Sequence, residues 1–298
     1  MQTLDHIVNI ASVTHRSPFR YAGGKTWFIP RIRQWLSSFA IKPTEFVEPF
    51  VGGGSISLSV AFEKLAHHVT MVELDNQVAA VWQTIIYGDA EKLANRIMQF
   101  DFNTENVKLL LNTDFNDLEE VAFKTTVKNR VTRGGILADG VGLIKTGENG
   151  RGLASRWYPE TLKRRILAII PIRQRITFRH DNGLNVMQQY VDNSDTVFFI
   201  DPPYTALGKG TGSRLYTHSQ LNHSQLFELA HSLKGDFVMT YDNQPGAIEL
   251  VSRYGFDSEA VAMKNTHHAQ MTELVIGRNL DWLRTMKETT LQQHAFAL

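Results

Sequence analysis

Stretches of apolar residues recur along the chain with two different periods. The clearest is Thr196 to Ile200 (TVFFI), a run of β-branched and aromatic residues that stops at Asp201-Pro202-Pro203-Tyr204. A run with no polar alternation suits a strand buried on both faces, as in a parallel sheet. The two prolines, which lack an N–H, must end it. Glu45–Glu48, Val69–Val72, Arg175–Phe178 and Asp236–Thr240 predict further strands, and Phe256–Ala262 with Glu273–Gly277 predicts an antiparallel pair closing the sheet. Between them, apolar residues at helical spacing predict helices over Trp27–Phe39, Ile56–Leu65, Asn76–Ile86, Leu184–Tyr190, Ser219–Leu233 and Gly246–Tyr254. Alternation of this kind predicts an α/β, Rossmann-like fold whose sheet is mostly parallel with an antiparallel edge strand.

The rhythm stops at Gly88 and resumes after Pro171. The first part of this interval predicts helices over Glu91–Phe100, Val107–Leu111 and Asp117–Phe123. The rest, KNRVTRGGILADGVGLIKTGENGRGLASRWYP, is basic and glycine-rich with few signals of either kind. A long loop-rich insertion in a compact enzyme is normally functional. The pattern therefore predicts one domain from 1–87 and 172–298, carrying an inserted, mainly helical and loop-rich domain over 88–171.

Charge sharpens that division. The 298 residues have a net charge of +1, yet Lys124 to Arg179 holds 13 lysines and arginines against 3 acids, leaving 18 basic and 27 acidic residues elsewhere. A basic segment interleaved with aromatics and glycines points to a polyanion, nucleic acid first, although a charge run alone is more often a solvated face. The chain has no cysteine, which excludes disulfides, thiolate metal sites and a cysteine nucleophile and predicts an intracellular, cytoplasmic protein. No apolar run approaches the ~18 residues of a membrane span. His218, His223, His267 and His268 complete no metal-ligand spacing, so no metal is expected.

Asp201, with carbonyls beside proline nitrogens and the ring of Tyr204, sets acceptors for an exocyclic amine beside a platform for a flat ring, at the strand edge where open α/β sheets bind ligands. An Asp-Pro pair after a strand is more often a plain turn, so the remaining motifs carry weight. Pro49-Phe50-Val51-Gly52-Gly53-Gly54 turns one strand into a helix, and Asp75 closes the next strand, where a ribose diol is gripped in such sheets. Glu73 reads as structural. Gly23-Gly24-Lys25-Thr26 is not a phosphate loop, because Phe19 stands where its first glycine would be and no strand precedes it.

In order, Arg20-Tyr21-Ala22-Gly23-Gly24-Lys25, the Glu48-Pro49-Phe50-x-Gly-x-Gly turn, Asp75, Asp181 and Asp201-Pro202-Pro203-Tyr204 resemble the D12 class, or Dam-like alpha group, of DNA adenine-N6 methyltransferases over most of residues 18–277. Asn129-Arg130, Gly134-Gly135-Ile136 and Arg156-Trp157-Tyr158-Pro159 also look like features of that family's recognition domain. The segment between them departs from the Dam methylases, and no target sequence follows. The resemblance implies a class I methyltransferase sheet, S-adenosylmethionine as methyl donor and duplex DNA as substrate, with a cognate restriction endonuclease as a partner it allows. It implies that Asp201, Pro202, Pro203 and Tyr204 hold and stack a base flipped out of the duplex. Around the donor it implies Glu48 near the ammonium, Lys25 near the carboxylate, Gly52 and Gly54 clearing space, Asp75 on the ribose, Asp181 on the adenine amine, and Tyr21 and Phe50 lining the site. Lys25 could instead meet a DNA phosphate, Tyr21 could simply pack, and Asp181 could cap a helix. On the insertion, Lys124, Lys128, Arg151, Arg156, Lys163, Arg164 and Arg165 are expected on phosphates, with Asn129, Arg130 and Arg133 reading bases. A DNA-binding module without catalysis and a methyltransferase acting on RNA are the competing readings.

Overall fold

A computed structural model describes residues 13–21, 24–203, 221–264 and 270–285. Among them, a seven-stranded sheet has the order β3-β2-β1-β4-β5-β7-β6. The strands are β1 (Glu45–Glu48), β2 (His68–Glu73), β3 (Ile176–His180), β4 (Thr196–Ile200), β5 (Asp236–Asp242), β6 (Asp257–Lys264) and β7 (Gln270–Gly277). β1 to β5 pair in parallel, and β7 lies between β5 and β6, antiparallel to both. This is the Rossmann-like, mostly parallel sheet that the pattern predicts, with the antiparallel pair at one edge.

Side-chain alternation along the central strands supplies two cores. Phe46, Val197 and Phe199 face one layer of helices, while Val47, Phe198 and Ile200 face the other. All five residues of β4 are buried, as its unalternated run requires, each large side chain contributing roughly 1.5–3 kcal/mol. The first layer holds α1 (Ile29–Ser37), α2 (Ser55–Glu63) and α3 (Asn76–Ile86). The second holds α8 (Gly183–Gln189), α9 (His223–Ser232) and α10 (Pro245–Tyr254).

The interval 88–171 is more helical than its glycines suggest. It forms α4 (Ala90–Gln99), α5 (Thr104–Asn112), α6 (Leu118–Val131) and α7 (Pro159–Ile169). α6 runs eight residues beyond the predicted Phe123, and α7 occupies a stretch for which the pattern predicts no element. Pro159 at the first turn of α7 removes an N–H that would have no partner there, which starts the helix despite the proline. Ala122, Phe123 and Val127 of α6 and Leu162 and Ile166 of α7 join the same apolar cluster as Phe46 and Val69 of the sheet.

One close approach locks the edge of the sheet where ligands bind. A methyl group on Gly183, at the start of α8, would lie 2.3 Å from the carbonyl oxygen of Pro49, which follows β1. Gly183→Ala should therefore force the two segments apart and cost about 1–3 kcal/mol of stability. Urea unfolding would read this as a lower midpoint at unchanged slope.

Candidate active site

β1 and β4 lie side by side, and the chain leaves them toward opposite edges of the sheet. A crevice therefore opens beyond their carboxyl ends. A cavity of about 140 Å³ occupies it, and the described residues lining it include Tyr21, Phe50, Gly52, Gly54, Asp75 and Asp201. The Asp-Pro-Pro segment and the glycine bend thus share one cleft. Pro203 also lines it, whereas Pro202 is buried. Tyr204 lies outside the described residues.

The glycine bend needs its glycines for a reason the sequence did not disclose. Gly52 and Gly54 take positive φ of 45° and 64°, a region costly for other residues. A methyl group on Gly52 would lie 2.5 Å from the Tyr21 ring, and one on Gly54 would lie 2.7 Å from the Trp82 ring. Besides lining the cavity, these glycines admit two aromatic rings of the protein. Trp82 Nε1 then donates to the Gly52 carbonyl at 2.9 Å.

Acids surround this bend. Glu73 accepts from the amides of Gly52, Leu74 and Asp75, each at 2.9 Å, and so ties β2 to the bend in the structural role expected of it. Asp75 caps α3, with Oδ1 accepting from the amides of Gln77 at 2.8 Å and Val78 at 3.2 Å. Glu48 is buried and accepts from the Ser57 amide in the first turn of α2 at 2.9 Å. Burial pushes Glu48 up to about 8, with the charges of Asp201 and Glu73 adding to it, and burial pushes Glu73 up to about 7.

Asp201 lies 3.0 Å from Lys25 Nζ, which in turn lies 2.8 Å from Glu273 on β7. Thr240 on β5 donates to Asp201 Oδ1 at 2.9 Å. Burial would strip the Lys25 proton, but Asp201 and Glu273 outweigh it and hold the ammonium well above its ordinary range. Lys25 lines the cavity, and in the ligand-free fold its ammonium is held between two protein carboxylates. Glu273 and Thr240 were not anticipated. The one signal for Glu273 is an acid at an otherwise apolar position of MTELVIG.

Asp181 directly follows β3. Its Oδ2 pairs with Arg179 at 2.8 Å and its Oδ1 accepts from the Asn182 amide at 2.7 Å. Asn182 and Gly183 line the cavity, and Asp181 is not among its lining.

The insertion also differs from expectation. Asn129 is 1% exposed and makes three hydrogen bonds to backbone, while Arg130 is buried and donates to the Pro18 carbonyl. Neither presents an edge to a base. Lys124 donates to the Thr113 carbonyl at 2.6 Å, Lys128 to the Leu137 carbonyl at 2.7 Å and Arg165 to the Ser17 carbonyl at 3.0 Å. Lys163 bonds Asn95 at 3.2 Å, and Arg156 is partly buried. Arg133, Arg151 and Arg164 are exposed. The segment Gly135–Ala138 lines the cavity, a contribution the sequence did not reveal.

Among the described residues, no group of His, Cys, Asp or Glu is arranged to hold a metal ion, and no helix is long and apolar enough to cross a membrane. His223 is buried, with Nδ1 2.8 Å from the Tyr241 hydroxyl. His218, His267 and His268 lie outside the described residues.

Comparison with known proteins gives distant structural likenesses. A candidate RNA methyltransferase from Pyrococcus horikoshii shares 10% identity at a TM-score of 0.39, over 85% of this chain and 84% of its own. A candidate class I S-adenosylmethionine-dependent methyltransferase from Listeria monocytogenes shares 11% at 0.38, over 84% and 58%. A precorrin-6y C5,15-methyltransferase from Geobacter metallireducens shares 10% at 0.34, over 83% and 86%. No curated protein gives a significant match. The family model for D12 class N6 adenine-specific DNA methyltransferases matches residues 21–264, from Tyr21 on the glycine bend through β6. The chain belongs to the D12 class of N6 adenine-specific DNA methyltransferases.

Proposed function

We propose that this protein transfers a methyl group from S-adenosylmethionine to N6 of adenine in duplex DNA, acting on a base turned out of the helix. The observation that carries the reading is the single cleft joining Asp201 to the glycine bend and Asp75. Its chemistry suits the donor. Glu48, Glu73, Asp75 and Asp201 surround it, and Lys25 is the lone cation among its described lining residues. A ligand bearing a sulfonium and an ammonium against one carboxylate is complementary to such a site.

When bound, the donor supplies an electrophilic methyl group. Asp75 would accept from the ribose hydroxyls and Glu48 would face the ammonium. The amine of adenine is a poor nucleophile because its lone pair is delocalised into the ring. Asp201 and the adjoining Pro202 carbonyl would each accept a hydrogen bond from its N–H groups and so fix the nitrogen's orientation toward the methyl. The proton released once the N–C bond has formed would pass to Asp201 or to water. Thr240 and Lys25 hold the Asp201 carboxylate from two sides and fix its orientation, which supports this role. Tyr204 would stack on the extruded base; such stacking is worth about 1–3 kcal/mol, comparable to the cost of extrusion. The insertion would face the duplex through its exposed arginines.

Asp201→Ala should lower methyl transfer to duplex DNA at least about a hundredfold, with donor affinity retained because Glu273 still neutralises Lys25. Radiolabel transfer with identification of N6-methyladenine, run beside an RNA substrate, checks both the residue and the substrate; turnover near wild type, or transfer to RNA alone, contradicts the proposal.

The raised carboxyls add a pH signature. Glu48 and Glu73 are protonated in the ligand-free fold up to about 8 and about 7. An unfolded carboxyl ionises far lower, so their stabilising contribution is full below the ordinary carboxylate range and is lost as pH rises through 7 to 8. The ligand-free melting temperature should fall as pH rises from the ordinary carboxylate range to about 8, level off above that, and recover when the cationic donor binds, and Glu48→Gln should flatten the profile. Thermal scans across pH with and without S-adenosylmethionine measure this.

Replacing Arg133, Arg151 and Arg164 together by alanine should weaken duplex binding for all sequences alike. It should also reduce the salt slope by roughly 0.9 for each phosphate that the variant no longer neutralises. Titrations at several salt concentrations on unrelated duplexes report it.

A further inference from the structure

Two neighbouring residues of α6 are spent on holding backbone in place. Asn129 Nδ2 donates to the carbonyls of Gly135 at 2.7 Å and Arg20 at 2.8 Å, and its Oδ1 accepts from the Arg20 amide at 2.8 Å. Lys128 Nζ donates to the Leu137 carbonyl at 2.7 Å and to Gln77 Oε1 at 2.9 Å. Each side chain thus clasps the segment 135–137 to a second element: Asn129 to the N-terminal arm, Lys128 to α3.

The clasped segments meet at the cavity. Tyr21, directly after Arg20, packs its ring on Gly52, and Ile136, Leu137 and Ala138 line the same space as Asp75 and Val78. Gly134 and Gly135 turn the chain at φ of 69° and 75°, and a methyl group on Gly135 would lie 2.3 Å from the Arg20 carbonyl. Backbone this tightly turned needs partners for its carbonyls, and Lys128 and Asn129 provide them.

We propose that Gly135–Ala138 forms a wall of the methyl-donor site on its nucleoside side, and that Lys128 and Asn129 are positioning residues for donor binding through that wall and through Tyr21. The assignment rests on the proposed donor, since Asp75 marks the ribose end and the Lys128 partner Gln77 has its amide held by Asp75. A segment of the insertion therefore belongs to the donor site. By reciprocity, a donor that fastens this segment changes the affinity of the insertion for nucleic acid by the same factor as nucleic acid changes that of the donor.

Calorimetry on the full chain with S-adenosylhomocysteine, beside titration of a DNA duplex without donor, tests the assignment. Asn129→Asp removes the amide donors while keeping the shape. Ala138→Phe crowds the cavity from a partly exposed loop position and leaves α6 untouched. Both should weaken S-adenosylhomocysteine by about tenfold or more while duplex affinity stays within about twofold. Lys128→Met should act in the same direction. Folded variants that bind S-adenosylhomocysteine like wild type would overturn the inference, as would an Asn129 variant that loses duplex affinity alone, the mark of a base reader. Should Asn129→Asp fail to fold, Ala138→Phe decides by itself. A wild-type protein that binds neither S-adenosylhomocysteine nor S-adenosylmethionine would overturn the proposed function as well, which separates the two failures.

Discussion

Carboxylates buried at the carboxyl edge of a parallel sheet must each find compensation, because an uncompensated buried charge neutralises itself or unfolds the site. The cleft answers in three ways. Glu73 spreads over three backbone amides, one of them on the glycine bend, so the acid and the bend hold each other. Asp201 and Glu273 share Lys25. Glu48, supported by the Ser57 amide and facing other acids, is pushed toward its protonated form. The ligand-free site therefore retains a demand for positive charge that its own lysine does not meet, and a cationic ligand relieves the repulsion on arrival. The attraction of the cleft for a cation and the raised pKa values of Glu48 and Glu73 thus share one electrostatic setting.

The triad of Asp201, Lys25 and Glu273 gathers residues far apart in the chain. Lys25 precedes α1, Asp201 ends β4 and Glu273 lies in β7. Only the strand order brings the last two within reach of one ammonium, since β5 lies between β4 and β7 and adds Thr240 to the group. The antiparallel edge of the sheet, which first looks like simple closure, is thereby part of what holds the candidate catalytic carboxylate in place.

The sheet was legible because burial on both faces writes itself as unbroken apolar runs, and the bounds of β1, β4 and α3 follow from their residues alone. The cleft was legible in outline for a related reason: prolines and glycines at strand ends mark where the chain must turn. What could not be read was the fate of polar side chains in the insertion. Asn129 and Arg130 have the residue types of base readers, yet both are buried against the arm at 18–20, more than a hundred positions earlier. A donor-rich side chain looks the same in sequence whether it faces a nucleic acid or an orphaned carbonyl, and only the tertiary path decides. Asp181 shows the same limit in miniature, because Arg179 two residues before it takes the carboxylate that the motif seemed to aim at a ligand.

That distinction changes what the basic segment means. Several cations from Lys124 to Arg165 are used to tie elements together: Lys124, Lys128, Arg130 and Arg165 each end on a backbone carbonyl. Burial lowers the pKa of Lys128, Arg130 and Arg165, which is the cost of using charged groups as ties. A neutral donor of equal reach would be cheaper in isolation, so these cations make sense where residual positive potential on the surface serves a purpose. Arg133, Arg151 and Arg164 remain exposed, and the tied cations add positive field at longer range. Lys128 shows both uses in one side chain, since it ties the segment at Leu137 to α3 while contributing positive charge to the insertion.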